Sequence, residues 1–355
     1  MAESNPHHTD PRPLPETAPC RVHAVRRLTP DSVVVTLDPG PSLDRFRHLP
    51  GQRITFCFPF ADRTAFRSYN LINVPGMFPQ VAVKRVRRGG LSEHFNERLA
   101  VGDTLNVVPP EGQLYPKGLD GEAHHIMLFA AGSGITPLYS IAQHALKARR
   151  DHHVTLFYAN SSARDIMFQR ELDALAASSR MDVFHILGDG GTGEDESSGR
   201  LTAGRVERLM RQYAQSTLAE HVFVCGPGGF MDAVTQGIRH VDRDIPCTPY
   251  SFGTQPHVHP SDRLATSTLR ITRDGVVREL DNVSRHLTLL EAADKAGVDM
   301  PAECRSGICH RCKAKLVSGR TTSNPSGTAS KPLPPGFILC CQERPAGPDV
   351  EIDLS

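Results

Sequence analysis

The sequence predicts a multidomain protein in which an antiparallel β-barrel, an α/β parallel-sheet domain and a small α+β unit follow one another. Short alternating strands separated by Pro and Gly occupy the first part of the chain. Strands alternate with helices in the middle, and a hairpin, a helix and a cysteine-rich loop occupy the last part. A chain of 355 residues is long enough for two or three domains with separate cores.

Composition excludes several classes of protein. The net charge of +1 gives no indication of a nucleic-acid partner. No stretch approaches the ~20 apolar residues of a membrane helix, and the N-terminus lacks an apolar signal core, so we expect a cytoplasmic protein without membrane insertion. Nine cysteines in a chain of this length favour a reducing compartment and a metal cluster over a disulfide framework.

Domain boundaries are placed where the composition changes. Residues 1–19 are polar and rich in proline, which predicts a disordered leader. We expect the barrel domain over residues 20–118, the α/β domain over 119–252 and the α+β domain over 268–355. Residues 253–267 lack periodicity and are predicted to be a linker.

The barrel segment contains a possible phosphate site. Its candidate strands are 21–27, 32–37, 53–58, 67–73, 80–86 and 104–108. Gly89 and Gly90 precede a short helix, and the free N–H groups of a helix start suit a pyrophosphate. Arg67 on a strand can bind the same phosphates, and Tyr69 on the same face can lie along a flat ring. The alternative is an ordinary hairpin with a solvated arginine and a core tyrosine.

The middle segment predicts a parallel sheet with helices on both faces. Its candidate strands are 126–130, 154–158, 182–187 and 221–225, and its candidate helices begin near Pro137 and cover 169–177, 202–212 and 228–239. Glycine-rich turns follow the first and last strands, at Gly132-Ser133-Gly134 and at Gly226-Pro227-Gly228-Gly229. Neither turn is a full dinucleotide fingerprint, and simple turn chemistry is the alternative. Two such turns at one sheet edge nevertheless favour a dinucleotide site.

The cysteine loop is the most specific motif. Cys304, Cys309 and Cys312 have C-x4-C-x2-C spacing, and Cys340-Cys341 follows later in the chain. This is the spacing of a plant-type 2Fe–2S cluster, which four thiolates hold. A structural zinc site would usually show two C-x2-C pairs, and buried free thiols need no such spacing. The sequence therefore predicts a 2Fe–2S cluster.

The remainder of the last segment predicts a compact unit around this loop. A hairpin is expected over 268–280, with its turn at Asp274-Gly275. Thr288 and Glu291 form a capping box for a helix over 289–296. Residues 350–353 supply a final strand.

Together these motifs resemble the ferredoxin–NADP reductase superfamily. Arg67-Ser68-Tyr69-Asn70 and the turn before Ser92 resemble its flavin motifs, and the two glycine-rich turns look like its nicotinamide motifs. The last domain looks like a plant-type ferredoxin with a β-grasp fold. The domain order is similar to that of oxygenase reductases, such as those of phenylacetyl-CoA epoxidase and 3-ketosteroid 9α-hydroxylase, and to that of the hybrid-cluster protein reductase. The resemblance covers nearly all of the chain after Cys20.

The resemblance implies a role for each matching residue. The expected FAD contacts are Arg67, Ser68, Tyr69, Asn70, Val83, Lys84, Gly90, Leu91 and Ser92. The expected contacts of the nicotinamide nucleotide are Gly132, Ser133, Gly134, Thr136, Cys225, Gly226 and Pro227. Asn70, Cys225 and Phe252 are expected at the point of hydride transfer. The expected iron ligands are Cys304, Cys309, Cys312 and Cys341, with Cys341 preferred over Cys340 because it directly precedes a glutamine.

The chain departs from the family pattern at four places. Asn70 stands where Ser or Thr is usual beside the flavin N5, and Tyr250-Ser251-Phe252 stands where Glu-Arg-Phe is common. His310-Arg311 replaces a small pair in the cluster loop, and this positive charge should raise the cluster potential. Residues 321–335 are rich in Ser and Pro where acidic residues are common, which affects partner recognition.

The expected function is that of an NAD(P)H-dependent electron-transfer reductase. Nicotinamide gives two electrons as hydride, the cluster accepts one at a time, and a flavin is needed between them. The expected acceptor is a terminal oxygenase or hydroxylase. The alternatives are a hybrid-cluster protein reductase, a stand-alone flavin reductase and a redox-sensing protein. FAD is favoured over FMN, and Ser161, where arginine is frequent in NADPH-binding relatives, favours NADH over NADPH.

Overall fold

The computed structural model of the protein contains three β-sheets in chain order. It describes residues 16–59, 64–74, 76–86, 90–112, 114–116, 119–121, 124–188, 199–213, 221–250, 265–285, 287–302, 307, 310–323 and 333–355. Most of the predicted leader and linker lies outside these residues, as do the predicted site residues Phe252, Cys304 and Cys309. The domain boundaries given above stay predictions.

The first sheet is the predicted antiparallel barrel. Its strands are β1 (Ala18–Thr29), β2 (Ser32–Asp38), β3 (Arg53–Pro59), β4 (Thr64–Asn70), β5 (Gln80–Lys84) and β6 (Thr104–Glu111). Their order is β4-β3-β6-β1-β2-β5, and an isolated antiparallel bridge between Leu71 and Val81 joins the two edges. The bridge closes the sheet, as a barrel requires. Helix α1 (Leu91–Glu97) buries Leu91 and Phe95 in the barrel core.

The second sheet is parallel and has helices on both faces, as predicted. Its strands are β7 (His125–Ala131), β8 (His153–Asn160), β9 (Met181–Leu187), β10 (His221–Cys225) and β11 (Cys247–Tyr250), in the order β11-β10-β7-β8-β9. Its helices are α2 (Ile135–Ala148), α3 (Gln169–Ala176), α4 (Ala203–Tyr213) and α5 (Gly228–Val241). Alternate residues of β7 face opposite cores: Leu128 belongs with α2 and α3, and Phe129 with α4 and α5. Strand β11 was not predicted as a strand.

The barrel and the parallel-sheet domain share an interface. Ile72 of the barrel belongs to the same buried cluster as the residues of α2, and its carbonyl accepts a hydrogen bond of 2.7 Å from Gln143 Nε2. Arg26 and Glu171 form an ion pair of 2.6 Å across the same boundary. Since these contacts join β1 and the chain after β4 to helices α2 and α3, the two domains are in direct contact.

The third sheet is mixed and carries one helix, which confirms the predicted α+β unit. Its strands are β12 (Thr266–Arg273), β13 (Val276–Ser284), β14 (Lys313–Ser323), β15 (Phe337–Leu339) and β16 (Glu343–Asp353), in the order β13-β12-β16-β14-β15. Strands β12 and β16 are parallel, and the other neighbours are antiparallel. Helix α6 (Leu289–Lys295) buries Leu289, Leu290 and Ala293 in the core of this domain. Among the described residues, no helix is long and apolar enough to cross a membrane.

The capping box of α6 is formed as predicted and gives a stability test. Thr288 Oγ1 accepts from Glu291 N at 3.1 Å, and Glu291 Oε2 accepts from Thr288 N at 2.9 Å. Thr288→Ala removes the hydroxyl and the buried methyl, whereas Thr288→Ser removes only the methyl. We expect the free energy of unfolding of the Ala variant to lie about 1 kcal/mol below that of the Ser variant in chemical denaturation. Equal losses would contradict a capping role for the hydroxyl.

Candidate functional site

A cavity of about 1100 Å³ opens at the carboxyl ends of the parallel strands. Both predicted glycine-rich turns line it, the one after β7 and the one after β10. Asn160 and Ser161, at the end of β8, line the same cavity. Its position is that of a ligand site in a parallel α/β sheet. The structure thus brings the two predicted turns together at one site.

Only glycine allows the two turns to approach as closely as they do. A Cβ atom on Gly134 would lie 2.1 Å from the Cys225 carbonyl oxygen. A Cβ atom on Gly226 would lie 2.8 Å from the Ala131 Cβ. Gly132 has a positive φ of 52°, and its carbonyl accepts a hydrogen bond of 3.0 Å from the Tyr158 hydroxyl. The turns therefore form one rigid floor for the cavity.

The predicted residues Ser133 and Pro227 line the cavity, and Thr136 is buried behind the first turn, at the start of α2. Thr136 Oγ1 donates to the Ser133 carbonyl at 3.1 Å, within the first turn. Pro227 precedes α5 and lines the cavity, and its carbonyl accepts from Phe230 N at 3.0 Å. These bonds fix the backbone of both turns, so the cavity has a preformed wall.

Cys225 is a buried thiol beside this wall. Burial raises its pKa well above the ordinary value for cysteine. A cysteine nucleophile has to form a thiolate, and a thiol held neutral by burial does not suit that role. The structure therefore gives no support to a catalytic thiol. The predicted contact of Cys225 with nicotinamide stays a prediction.

Asn160 is a site residue that sequence analysis missed. Its side chain is 8% exposed and lies beside the Tyr158 hydroxyl, which donates to Gly132 instead. Within the described part of the chain, neither Asn160 Nδ2 nor Oδ1 makes a hydrogen bond of normal geometry. Buried polar groups usually have partners, so an unpaired carboxamide at a cavity suits a polar ligand. The carboxamide therefore offers a hydrogen-bonding group to a polar ligand in the cavity, such as the predicted nicotinamide nucleotide.

Strand β4 presents the predicted flavin residues. Arg67 is exposed, and Tyr69 packs edge-on against Phe56 in the barrel. Burial raises the pKa of Tyr69 to about 12, and the Arg67 charge opposes that shift, as expected if both side chains share one face of the strand. Ser68, on the other face, shares a hydrogen bond of 2.7 Å with Thr55. An exposed arginine beside a tyrosine ring fits a flavin with its phosphates.

The other predicted flavin residues lie around β5 and α1. Lys84 Nζ is 3.5 Å from Asp31 Oδ2 and 4.0 Å from Asp165 Oδ1, and the residue also lines the nucleotide cavity. Val83 and Leu91 are buried in the barrel core. Ser92 Oγ accepts from Val86 N at 3.1 Å, whereas Gly90 is exposed at the start of α1. Their contacts with FAD stay predictions.

Asn70 lies at the seam between the barrel and the parallel-sheet domain. Its Nδ2 donates to the Gly51 carbonyl at 2.9 Å and to the Tyr250 hydroxyl at 3.1 Å. Asn70 is 2% exposed and Tyr250 is 7% exposed. Strand β11 ends at Tyr250, which pairs with Cys225 in the parallel ladder. The structure thus brings Asn70 close to the strand end that carries Cys225.

Two of the four predicted iron ligands are described, and they lie side by side. Cys312 and Cys341 are buried, and the interaction with the Cys341 thiol, followed by burial, raises the pKa of Cys312. Gln342 Nε2 lies 3.3 Å from Cys341 Sγ and donates to it. Adjacent thiols with an amide donor fit an iron–sulfur cluster. The described residues alone contain no group of three possible metal ligands, and Cys304 and Cys309 lie outside them.

The described parts of the cluster loop have unusual backbone conformations. His310 has a φ of 55°, a region that side chains other than glycine rarely occupy. Gly307 has a φ of 81°, and a Cβ atom there would lie 3.0 Å from Gln342 Cγ. The loop therefore folds closely over the segment that carries Cys341.

Comparison with known proteins gives matches over the three parts of the chain. The model of an oxidoreductase FAD-binding domain matches residues 19–115, and that of an oxidoreductase NAD-binding domain matches residues 128–236. The model of a 2Fe-2S iron-sulfur cluster binding domain matches residues 271–346.

Proteins with similar sequences and structures cover nearly the whole chain. The ferredoxin reductase component of the 3-ketosteroid-9-alpha-monooxygenase of Rhodococcus rhodochrous is 32% identical, over 94% of this chain and 95% of its own. A component of the 1,2-phenylacetyl-CoA epoxidase of Escherichia coli K12 is 27% identical, over 94% of this chain and 96% of its own. The solved structure of phthalate dioxygenase reductase aligns with a TM-score of 0.58 and 25% identity, over 95% of this chain and 98% of its own.

Proposed function

We propose that this chain donates electrons to a terminal oxygenase or hydroxylase. The chain belongs to the ferredoxin–NADP reductase superfamily, as an oxygenase-type reductase with a C-terminal 2Fe–2S domain. The observation that carries this proposal is the full-length match to reductase components of monooxygenases. Glycine betaine monooxygenase reductases, 27% and 29% identical, are further relatives of this kind. Relatives that serve different oxygenases share this domain order. They therefore support an oxygenase as the acceptor, but they do not indicate which substrate that oxygenase acts on.

The predicted site residues would form three cofactor sites, one in each domain. Bound flavin supplies the exchange between a two-electron hydride donor and a one-electron acceptor. The barrel would hold FAD through Arg67, Tyr69 and Asn70, and the glycine-rich turns would hold the nicotinamide nucleotide. Cys312 and Cys341, with Cys304 and Cys309, would hold the cluster. The chain itself needs no nucleophile, because its task is to align the cofactors and exclude water.

We also propose a cytoplasmic location. None of the seven cysteines that the structure describes forms a disulfide. Disulfides form and persist in oxidising compartments, so cysteines without disulfides favour a reducing one.

An anaerobic titration tests the proposed electron path. The purified protein is titrated with NADH and separately with NADPH, while flavin absorbance and the cluster's EPR signal are followed. We expect the flavin to bleach first and a reduced 2Fe–2S signal to follow. Bleached flavin without a cluster signal in a protein with full iron content would contradict the path to an oxygenase. It would favour a stand-alone flavin reductase.

Substitution of Asn160 tests the nucleotide cavity, because we expect it to weaken nucleotide binding without lowering the melting temperature. Asn160→Leu removes an unpaired buried carboxamide, so the melting temperature should stay equal or rise. If the carboxamide binds the nucleotide, the KM for the preferred nicotinamide nucleotide should rise about tenfold.

A buried asparagine with partners serves as the matched control. Asn96 Nδ2 donates to the carbonyls of Val83 and Ser92 at 3.2 and 2.8 Å. Asn96→Leu should therefore lower the melting temperature, since it removes these hydrogen bonds and the one that Asn96 Oδ1 accepts from Arg27 Nη1. A melting temperature that falls equally in both variants, or an unchanged KM for Asn160→Leu, would count against the role of Asn160.

A further inference from the structure

The hydrogen bond between Asn70 and Tyr250 joins the barrel to the parallel-sheet domain. Asn70 ends a barrel strand, and Tyr250 ends the edge strand of the parallel sheet. Both residues are places where the chain departs from the usual Ser or Thr and the usual Glu of its family. An amide and a phenol, joined by a hydrogen bond, thus occupy two positions where the family pattern has a hydroxyl and a carboxylate.

The partners of Asn70 determine which way its carboxamide points. The Gly51 carbonyl can only accept a hydrogen bond, so the Asn70 atom 2.9 Å away from it is the amide nitrogen. The same nitrogen donates to the Tyr250 hydroxyl. Both amide hydrogens are then used, and Oδ1 has no hydrogen-bond partner among the residues described here. The side chain therefore presents a hydrogen-bond acceptor and no free donor.

The position of the pair relates it to hydride transfer. Tyr250 pairs with Cys225 in the ladder between β11 and β10. A Cβ atom on Gly134, which lines the nucleotide cavity, would lie 2.1 Å from the Cys225 carbonyl oxygen. Asn70 follows Tyr69 directly and is three residues from Arg67, on the strand that presents the flavin residues. The carboxamide is thus near both sites, and this inference rests on the function proposed above.

We propose that Asn70 Oδ1 accepts a hydrogen bond from N5–H of the reduced flavin, and that Tyr250 positions the carboxamide for it. In the reaction, two electrons and one proton leave the nicotinamide as hydride, flavin N5 gains the hydrogen, and NAD(P)+ is released. N5 carries a hydrogen only after this step, whereas oxidised N5 has a lone pair. An acceptor at this place therefore favours the reduced flavin. A serine hydroxyl can also donate to oxidised N5, so it lacks this preference.

The potential of the bound flavin tests the role of Asn70. We expect Asn70→Ser to weaken the preference for reduced flavin about tenfold, which lowers the two-electron potential by about 30 mV. Spectroelectrochemical titration with mediators measures this potential without any nicotinamide nucleotide. An unchanged or higher potential in Asn70→Ser, with FAD content as in the parent protein, would overturn the proposal.

Single-turnover kinetics test the positioning role of Tyr250. Tyr250→Phe keeps the ring and removes the hydroxyl that holds the carboxamide. We expect flavin reduction at saturating nucleotide to slow by about threefold to tenfold, with little change in the apparent Kd of the nucleotide. In an Asn70→Ala background the same substitution should have no further effect on the rate, because the group that it positions is gone.

A second tyrosine separates this role from a purely structural one. The Tyr115 hydroxyl donates to Asp120 at 2.8 Å, and its ring stacks on Phe223. Tyr115→Phe should alter stability to a similar extent and leave the flavin reduction rate unchanged. A Tyr250→Phe variant that loses stability but reduces flavin normally would refute the positioning role, as would equal slowing in both backgrounds. If the parent flavin titrates with mediators but is not reduced by NADH or NADPH, the proposed function fails instead.

Discussion

Cys341→Ala is expected to abolish the 2Fe–2S cluster and to stop electron transfer to the acceptor, while NAD(P)H continues to reduce the flavin. Cys341 is buried beside Cys312, and its sulfur accepts a hydrogen bond from the Gln342 amide. A plant-type cluster needs four thiolates, so removal of one should prevent stable assembly. Iron content, visible absorption and the EPR signal of the reduced protein measure the loss.

Cys340→Ala is the matched control because it changes the neighbouring buried thiol. Cys340 is 0% exposed, and its backbone rather than its sulfur makes the described hydrogen bonds, to the Cys312 carbonyl and from Leu290 N. Burial is the main cause that raises the pKa of its thiol. We expect this variant to keep the cluster and its electron transfer. Loss of the cluster in Cys340→Ala with retention in Cys341→Ala would reverse the ligand assignment.

The features that could be predicted from the sequence are those with local signals. The cysteine spacing, the glycine-rich turns and the capping box each involve residues close together in the chain. Regular strand–helix alternation was enough to predict the parallel sheet, and turn residues were enough to predict the barrel. The matches to three family models confirm the three cofactor-binding units.

Most of the strands that sequence analysis missed are defined by tertiary contacts. Strand β11 has four residues and contains Pro249, so it lacks the length and composition of a typical strand. Strand β14 is largely polar and exposed, and its pairing with β16 rather than its hydrophobic pattern defines it. The predicted bounds of the strand that carries the flavin residues were also shifted by three residues: β4 covers Thr64–Asn70, whereas the strand was predicted over 67–73.

The site residues that escaped prediction depend on groups far away in the chain. Nothing near Asn160 in the sequence indicates that its carboxamide lacks partners, because this follows from the burial of β8. The Asn70–Tyr250 bond joins residues 180 positions apart, in two domains. From the sequence alone, Tyr250 was noted only as a residue that stands where the family usually has a glutamate. The structure supplies the hydrogen bond that explains how a phenol can occupy that position.

Gly134→Ala is expected to reduce the rate of nucleotide-dependent flavin reduction about a hundredfold, because it forces apart the two turns that form the nucleotide cavity. The new Cβ atom would lie 2.1 Å from the Cys225 carbonyl oxygen and 3.0 Å from Gly226 N. These are backbone atoms at the end of a strand paired on both sides, so they cannot move away like the end of a flexible side chain. Pre-steady-state kinetics with NADH and NADPH measure the effect.

The barrel and the ferredoxin-type domain should be unaffected by this substitution, and that makes the expected result specific. Flavin content, the cluster signal and reduction by dithionite should match those of the parent protein. Gly204→Ala in α4 is the control, since a Cβ atom there meets nothing within 4 Å. It should leave the rate unchanged, and alanine should favour the helix slightly. If Gly134→Ala binds and oxidises the nucleotide normally, the two turns are not the nucleotide site, and the cavity between them has another ligand.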